Sequence, residues 1–243
     1  MEINQRSTNF DQYSEALPFY GEEEKKAYVA RYISKVYGWM FLALSVTAVV
    51  AGYVSQSEAI LSMLLSSRFL FFGLLIGQLF LVGFLTMRLQ KMNVNMATTN
   101  IFLYAALHGL TFAVLLLMYT PASLMGVFGI TAGTFGIMSA VGYYTKQDLT
   151  GFGQIMLFGL IGVIVASVVN FFMQSEMLYW IIAYVGVAVF VGLIAYDTQK
   201  IKGYALLETE EQRKKGAILG ALALYLDFIN LFIYLLRLFG SRK

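Results

Sequence analysis

The sequence predicts an all-α integral membrane protein, a bundle of seven transmembrane helices. Of its 243 residues, 59% are hydrophobic and 13% charged. A soluble domain is roughly a quarter charged, so polar surface is too scarce here to cover a water-exposed globule. Seven apolar runs each approach the ~20 residues needed to span hydrocarbon, and glycine inside them reads as helix rather than strand. The connections are short, which makes one compact bundle.

Residues 1–26 read as an acidic, cytoplasmic N-terminal tail. It carries Glu2, Asp11, Glu15, Glu22, Glu23 and Glu24, six of the 14 acidic residues. No apolar core lies close to Met1, so the tail is not a signal peptide and the first run is a retained anchor. Residues 27–243 form the single transmembrane domain. Its spans fall at about 30–54, 69–87, 96–119, 123–144, 152–173, 178–199 and 217–238. The patch Ile60–Leu65 is too short to span and is expected as an interfacial half-helix. Cysteine is absent, which excludes disulfides, thiol catalysis and cysteine-ligated zinc.

Basic residues set the orientation. With the N-terminus cytoplasmic, 13 of the 17 lysines and arginines face the cytoplasm; Arg68, Arg237, Arg242 and Lys243 face the other side. The positive-inside rule favours this arrangement. The basic C-terminal end opposes it, which leaves a re-entrant last segment as the rival topology.

Small residues predict packing faces. The fourth run has Gly126, Gly129, Gly133, Gly136 and Ala140 on one helical face; the fifth has Gly159, Gly162, Ala166 and Asn170. In lipid, close backbone approach across such stripes replaces the hydrophobic drive for helix association. The last run carries Gly216, Gly220, Ala223, Asp227, Asn230, Tyr234 and Arg237 at alternating spacings of four and three. A helix with that stripe and Leu, Ile and Phe on its other faces is expected to be surrounded by helices, since Asp227 sits poorly against lipid.

Ionisable residues inside a membrane are rare and suggest function. The candidates are Asp197 in GLIAYDTQK, Asp227 in LYLDFIN and Arg88 in GFLTMRLQK. The short loop between the last two runs makes them antiparallel neighbours, so Asp197 and Asp227 are expected to meet. Two carboxyls in a dry seam can share one proton and form a pH-sensitive latch, with Arg88 as counter-charge. Once deprotonated, the pair can take a cation; calcium suits carboxylate and carbonyl oxygens, so Asp197 and Asp227 are its candidate transient ligands. Asn230 and Tyr234 extend a possible ion path. His108, the only histidine, reads first as a packed side chain and second as a proton relay on that path. Asn100, Asn170 and Gln78 are expected to bridge helices, and Asp148, in a cytoplasmic loop, to cap a helix or pair with the basic loop.

AYDTQKIK (195–202) and ALALYLDFINLFIYLLRLFG (221–240) resemble the Bax inhibitor-1 family, bacterial members above all. GFLTMR (83–88) and TAGTFGIMSAVGYYTKQDL (131–149) extend the resemblance, which covers about residues 27–240. It implies seven helices with the C-terminal one central, a pH-sensitive calcium leak, and gating by Asp197, Asp227 and Arg88. It further implies that a membrane-bound AAA protease or other integral protein is a candidate partner. The chain departs from some relatives in the second helix, where Gly77 and Gln78 stand in the region of an acidic residue. A bacterial inner-membrane location is expected, with lipid and calcium as contacts, no cofactor and no nucleic acid.

Two other functions are weighed against a leak. One is a non-transporting regulator that binds an integral partner. The other is an intramembrane aspartyl protease, which also sets two aspartates on adjacent helices. Against the protease, LYLD replaces its GxGD glycines with bulky residues, and no proline follows Pro121.

Overall fold

The computed structural model describes residues 21–88 and 91–243, so most of the expected acidic tail lies outside the described residues. Eight helices follow in order: α1 Glu22–Ser55, α2 Glu58–Ser66, α3 Arg68–Arg88, α4 Val94–Met118, α5 Pro121–Tyr144, α6 Thr150–Met173, α7 Glu176–Tyr204 and α8 Glu210–Phe239. All but α3 among the spans, namely α1 and α4–α8, are long and apolar enough to cross a membrane, and Gly73–Arg88 of α3 is a shorter apolar stretch. The expected half-helix at Ile60–Leu65 is α2, nine residues long. Residues Glu22–Lys26, assigned above to the tail, are instead the first turn of α1.

Helix ends follow local chemistry. Asn93, Thr120 and Ser175 each accept a backbone N–H at the start of α4, α5 and α7. Thr209 and Gln212 form a reciprocal capping box at α8, satisfying two backbone donors that would otherwise lack partners. Glu210 and Glu211 then pair with Lys214 and Lys215 one turn on.

Burial separates the helices. Within its most apolar window α8 is 67% buried and α6 only 6%. Accordingly, α8 packs against α1, α4, α5 and α7, whereas α6 packs chiefly on α7. Outward-facing Ile155, Phe158, Ile161 and Phe172 on α6 are the apolar coat such a helix presents to lipid. Polar atoms inside are tied up. The Thr47 hydroxyl is 2.8 Å from the Tyr225 hydroxyl and 3.0 Å from the Ala105 carbonyl, so one chain of bonds joins α8, α1 and α4.

Both ends of the bundle are fastened. At one end Tyr32 of α1 donates to the Arg213 carbonyl at 2.7 Å. At the other, the C-terminal residues pair with the α4–α5 connection. Tyr119 and Arg242 form an antiparallel bridge, Thr120 N–H donates to Ser241, and Lys243 N–H donates to Met118, both at 3.0 Å. Helix α8 therefore runs unbroken from one end of the bundle to the other, about 45 Å at 1.5 Å per residue. The re-entrant alternative is corrected: the C-terminus lies at the end opposite to the start of α1.

The glycine stripes are corrected in part. A methyl group at Gly126, Gly129, Gly133 or Gly136 would meet nothing within 4 Å, so this stripe lies on the open face of α5. The helix contact of α5 is made on another face, along Val127, Thr131, Phe135, Ser139 and Gly142, where a methyl on Gly142 would strike the Ala195 carbonyl of α7. Gly159 does pack, against Val189 of α7.

Candidate functional site

The segment YDTQKIK on α7 sends each side chain to a different neighbour, because successive residues turn about 100° around a helix. Asp197 points to α8. Thr198 meets the Tyr37 hydroxyl of α1 at 3.4 Å. Gln199 clasps the α5–α6 loop: its amide oxygen accepts from Leu149 N–H and its amide nitrogen donates to the Gln147 carbonyl, both at 2.8 Å. Lys202 donates to the Tyr143 carbonyl of α5 at 2.8 Å. The carboxyl of Asp197 is thereby held at a fixed height by contacts on three sides.

Asp227 reaches that carboxyl from α8. The glycines below it allow the approach: a methyl on Gly220 would lie 2.7 Å from Ile201, and one on Gly216 would lie 2.9 Å from Tyr204. The polar stripe of α8 thus faces α7. The two carboxyls lie beside each other across the α7–α8 seam. Carboxylates only accept, so a hydrogen bond between them would require at least one proton on the pair. Asp227 is 4% exposed, and its second oxygen, Oδ2, is buried without a partner.

The other charge acting on Asp197 is Lys200. Its ammonium lies 5.7 Å from the centre of the Tyr196 ring, with the Tyr204 side chain nearby. A polar line therefore runs from Asp227 through Asp197 and Lys200 to Tyr204 at the end of α7. Lys200 and Tyr204 are absent from the sequence-based candidates. Their spacing in YDTQKIKGY, three and seven residues beyond Asp197, is the signal that places them on its face.

Arg88 is not brought to the pair. It is exposed in the last turn of α3, its guanidinium 5.6 Å over the Phe84 ring. A long basic side chain at a helix end finds water more cheaply than a buried carboxyl. Asn230 turns back on its own helix, donating to the Leu226 carbonyl at 2.8 Å. Tyr234 stacks on Phe190, where a methyl on Gly186 would come within 2.7 Å of its ring. His108 packs among the rings of Tyr104, Phe112 and Tyr225, with Nδ1 unpartnered.

Of the expected bridges, Gln78 does join α3 to α4, donating to the Leu107 carbonyl at 2.8 Å. Asn100 instead meets Met92, and Asn170 accepts from Ser175 N–H in the α6–α7 turn. Asp148 caps the start of α6 through Thr150. The residues before Asp227 also bear on the protease reading. Leu224, fully buried, and Leu226, half-buried, stand where the paired glycines would lie beside a catalytic aspartate and fill that space.

Fold and site define a multi-pass helical membrane protein with two carboxyl side chains, Asp197 and Asp227, meeting between two antiparallel helices. Residues 29–243 match the family described as inhibitor of apoptosis-promoting Bax1, and the chain belongs to this Bax inhibitor-1 family. It is 47% identical over 223 residues to the inner membrane protein YbhL of Escherichia coli K12, covering 90% of this chain and 95% of that one. A protein of Deinococcus radiodurans is 42% identical over 215 residues, covering 88% and 92% respectively. One of Borreliella burgdorferi is 40% identical over 215 residues, covering 88% and 93%.

Proposed function

We propose that the protein is a pH-sensitive cation leak of the inner membrane, with calcium as the favoured ion. It crosses seven times, α3 included, with the start of α1 on the cytoplasmic side and α8 in the middle. The length of α3, the burial of α8, the excess of basic residues at one end and the name of the Escherichia coli relative support this arrangement. The observation that carries the function is the meeting of the Asp197 and Asp227 carboxyls inside the bundle, where a hydrogen bond between them requires a proton.

The bond closes the α7–α8 seam while one proton remains on the pair. Loss of that proton sets two like charges against each other, and the seam opens or takes a cation. Calcium binds six to eight oxygens. No cluster of three or more acidic, histidine or cysteine side chains occurs among the described residues, so two carboxyls offer a passing contact rather than a resident site. A cavity of about 600 Å³ between α1 and α5 is lined by Tyr37, Ser139 and Tyr143. Tyr37 in its lining meets Thr198, the chain neighbour of Asp197, and this is the side from which water is proposed to reach the pair. Lys200, three residues from Asp197 on the same helix, is the cation that acts on Asp197 and takes the counter-charge role in this arrangement; Arg88 does not.

Calcium efflux from proteoliposomes, followed from about pH 5 to 8, tests the reading. Efflux above protein-free vesicles that rises with pH is expected. Efflux equal to protein-free vesicles at every pH overturns it.

A further inference from the structure

At the bundle end opposite to Tyr32 lies a cavity that the carboxyl pair does not use. It holds about 410 Å³ and continues into a second lobe of about 380 Å³. Tyr119, Tyr179, Arg237 and Arg242 line both lobes. The Arg237 guanidinium lies between two rings, 5.7 Å from the centre of Tyr179 and 5.1 Å from that of Tyr234. Arg242 lies 6.0 Å over the Tyr119 ring, with the Tyr179 side chain nearby. The C-terminal bridge to the α4–α5 connection holds Arg242 there. Neither arginine forms an ion pair among the described residues. Glu176, which lines the outer lobe, stays beyond ion-pair distance of both.

Rings cover the faces of a guanidinium and leave its N–H edge, the edge that grips oxyanions in a two-point fork. Two such edges with one acid nearby favour a doubly coordinated anion over a simple snorkel to water. The cavity also opens sideways. Helices α7 and α8 form its inner walls, and α4 and α6 flank it without extended contact with each other. Met118 and Phe171 at this opening are 43% and 58% exposed on the lipid-facing side.

We propose that this cavity binds a phosphate-bearing lipid headgroup from the adjacent leaflet, with Arg237 and Arg242 on the phosphate oxygens and an acyl chain along the α4–α6 opening. Free phosphate shares the oxyanion chemistry but lacks the chain.

The test is native mass spectrometry of the full chain, purified in detergent and given phosphatidylglycerol, a diacylglycerol with the same chains, or inorganic phosphate. The parent is expected to retain phosphatidylglycerol, and the Arg237→Gln, Arg242→Gln double variant to retain roughly tenfold less, as expected for the loss of charge-assisted bonds. Glu176→Gln removes a negative charge from the outer lobe without touching the guanidinium stacking, and is expected to raise retention. If the double variant does not fold, Glu176→Gln decides. Unchanged or weaker retention by Glu176→Gln, or equal retention by a folded double variant, overturns the proposal. So does equal retention of diacylglycerol, because the headgroup is then not being read. Displacement of phosphatidylglycerol by inorganic phosphate at matched concentration assigns the site to the free anion and overturns the lipid occupant.

Discussion

Replacing Asp227 with asparagine should keep the α7–α8 contact and remove its dependence on a proton. In the parent the bond to Asp197 exists only while the pair holds at least one proton. With both carboxyls ionised, two unit charges about 4 Å apart at an effective dielectric of about 20 repel by about 4 kcal/mol. That is close to three factors of ten in the balance between a paired and a separated seam, enough to move it from mostly closed to mostly open. In Asp227→Asn the side-chain amide donates to the Asp197 carboxylate. Only one charge remains, and no titration is needed to hold or release the contact. Calcium efflux in proteoliposomes is the assay, with a calcium dye inside and pH varied from about 5 to 8. The parent leak should rise at least roughly tenfold over that range, and the variant should change by less than about twofold. A variant that leaks at the parent rate with the parent pH profile would refute the latch, since the pair would then be no more than a fixed clamp between helices.

Other expectations concern the frame around the seam. Gly142→Ala places a methyl against the Ala195 carbonyl, backbone that cannot rotate away, and should cost about 1–3 kcal/mol. Gly133→Ala meets open space and should be neutral or stabilising by up to about 1 kcal/mol; melting in detergent that moves both variants the same way would contradict the faces assigned to α5. Tyr225→Phe breaks the chain through Thr47 to Ala105 and should cost about 0.6 kcal/mol, up to about 1.7, read in the same melting assay. The Asp148 carboxyl is held below its usual range by the Thr150 hydroxyl and N–H. Its cap is therefore fully present above about pH 4 and is lost as pH falls through its lowered value. The melting advantage of the parent over Asp148→Ala should shrink on acidification; an advantage that grows instead would show that the cap does not depend on the ionised form.

Much of the site was legible because helical periodicity maps directly onto faces. Alternating steps of four and three from Gly216 to Arg237 placed Asp227 on the same line as the small residues, and that line does face α7. Gln78 was likewise legible, since a buried amide in an apolar helix has to find a partner on another helix. The failures share a cause. The stripe from Gly126 to Gly136 looks the same in sequence as one that packs, but which face of α5 meets a neighbour depends on how α1, α7 and α8 surround it. Arg88 carries the right charge for the pair, but α3 packs on α2 and α4 and delivers that charge elsewhere. Lys200 was overlooked because a lysine near a helix end reads as a surface anchor, although its spacing of three residues sets it on the Asp197 face of α7.

By itself the sequence determined the class of protein, the positions of its helices and the carboxyls that would be costly if left alone. Those follow from composition and from periodicities of a few residues, which are local properties of a chain in lipid. The tertiary structure decided which partners answer those costs. It joined Asp197 to Asp227, gave Lys200 the place expected for Arg88, opened the glycine face of α5 and carried α8 through to a basic, aromatic cavity at the far end. Such choices depend on the relative rotation and height of helices, and those are fixed only when every side of the bundle is packed at once.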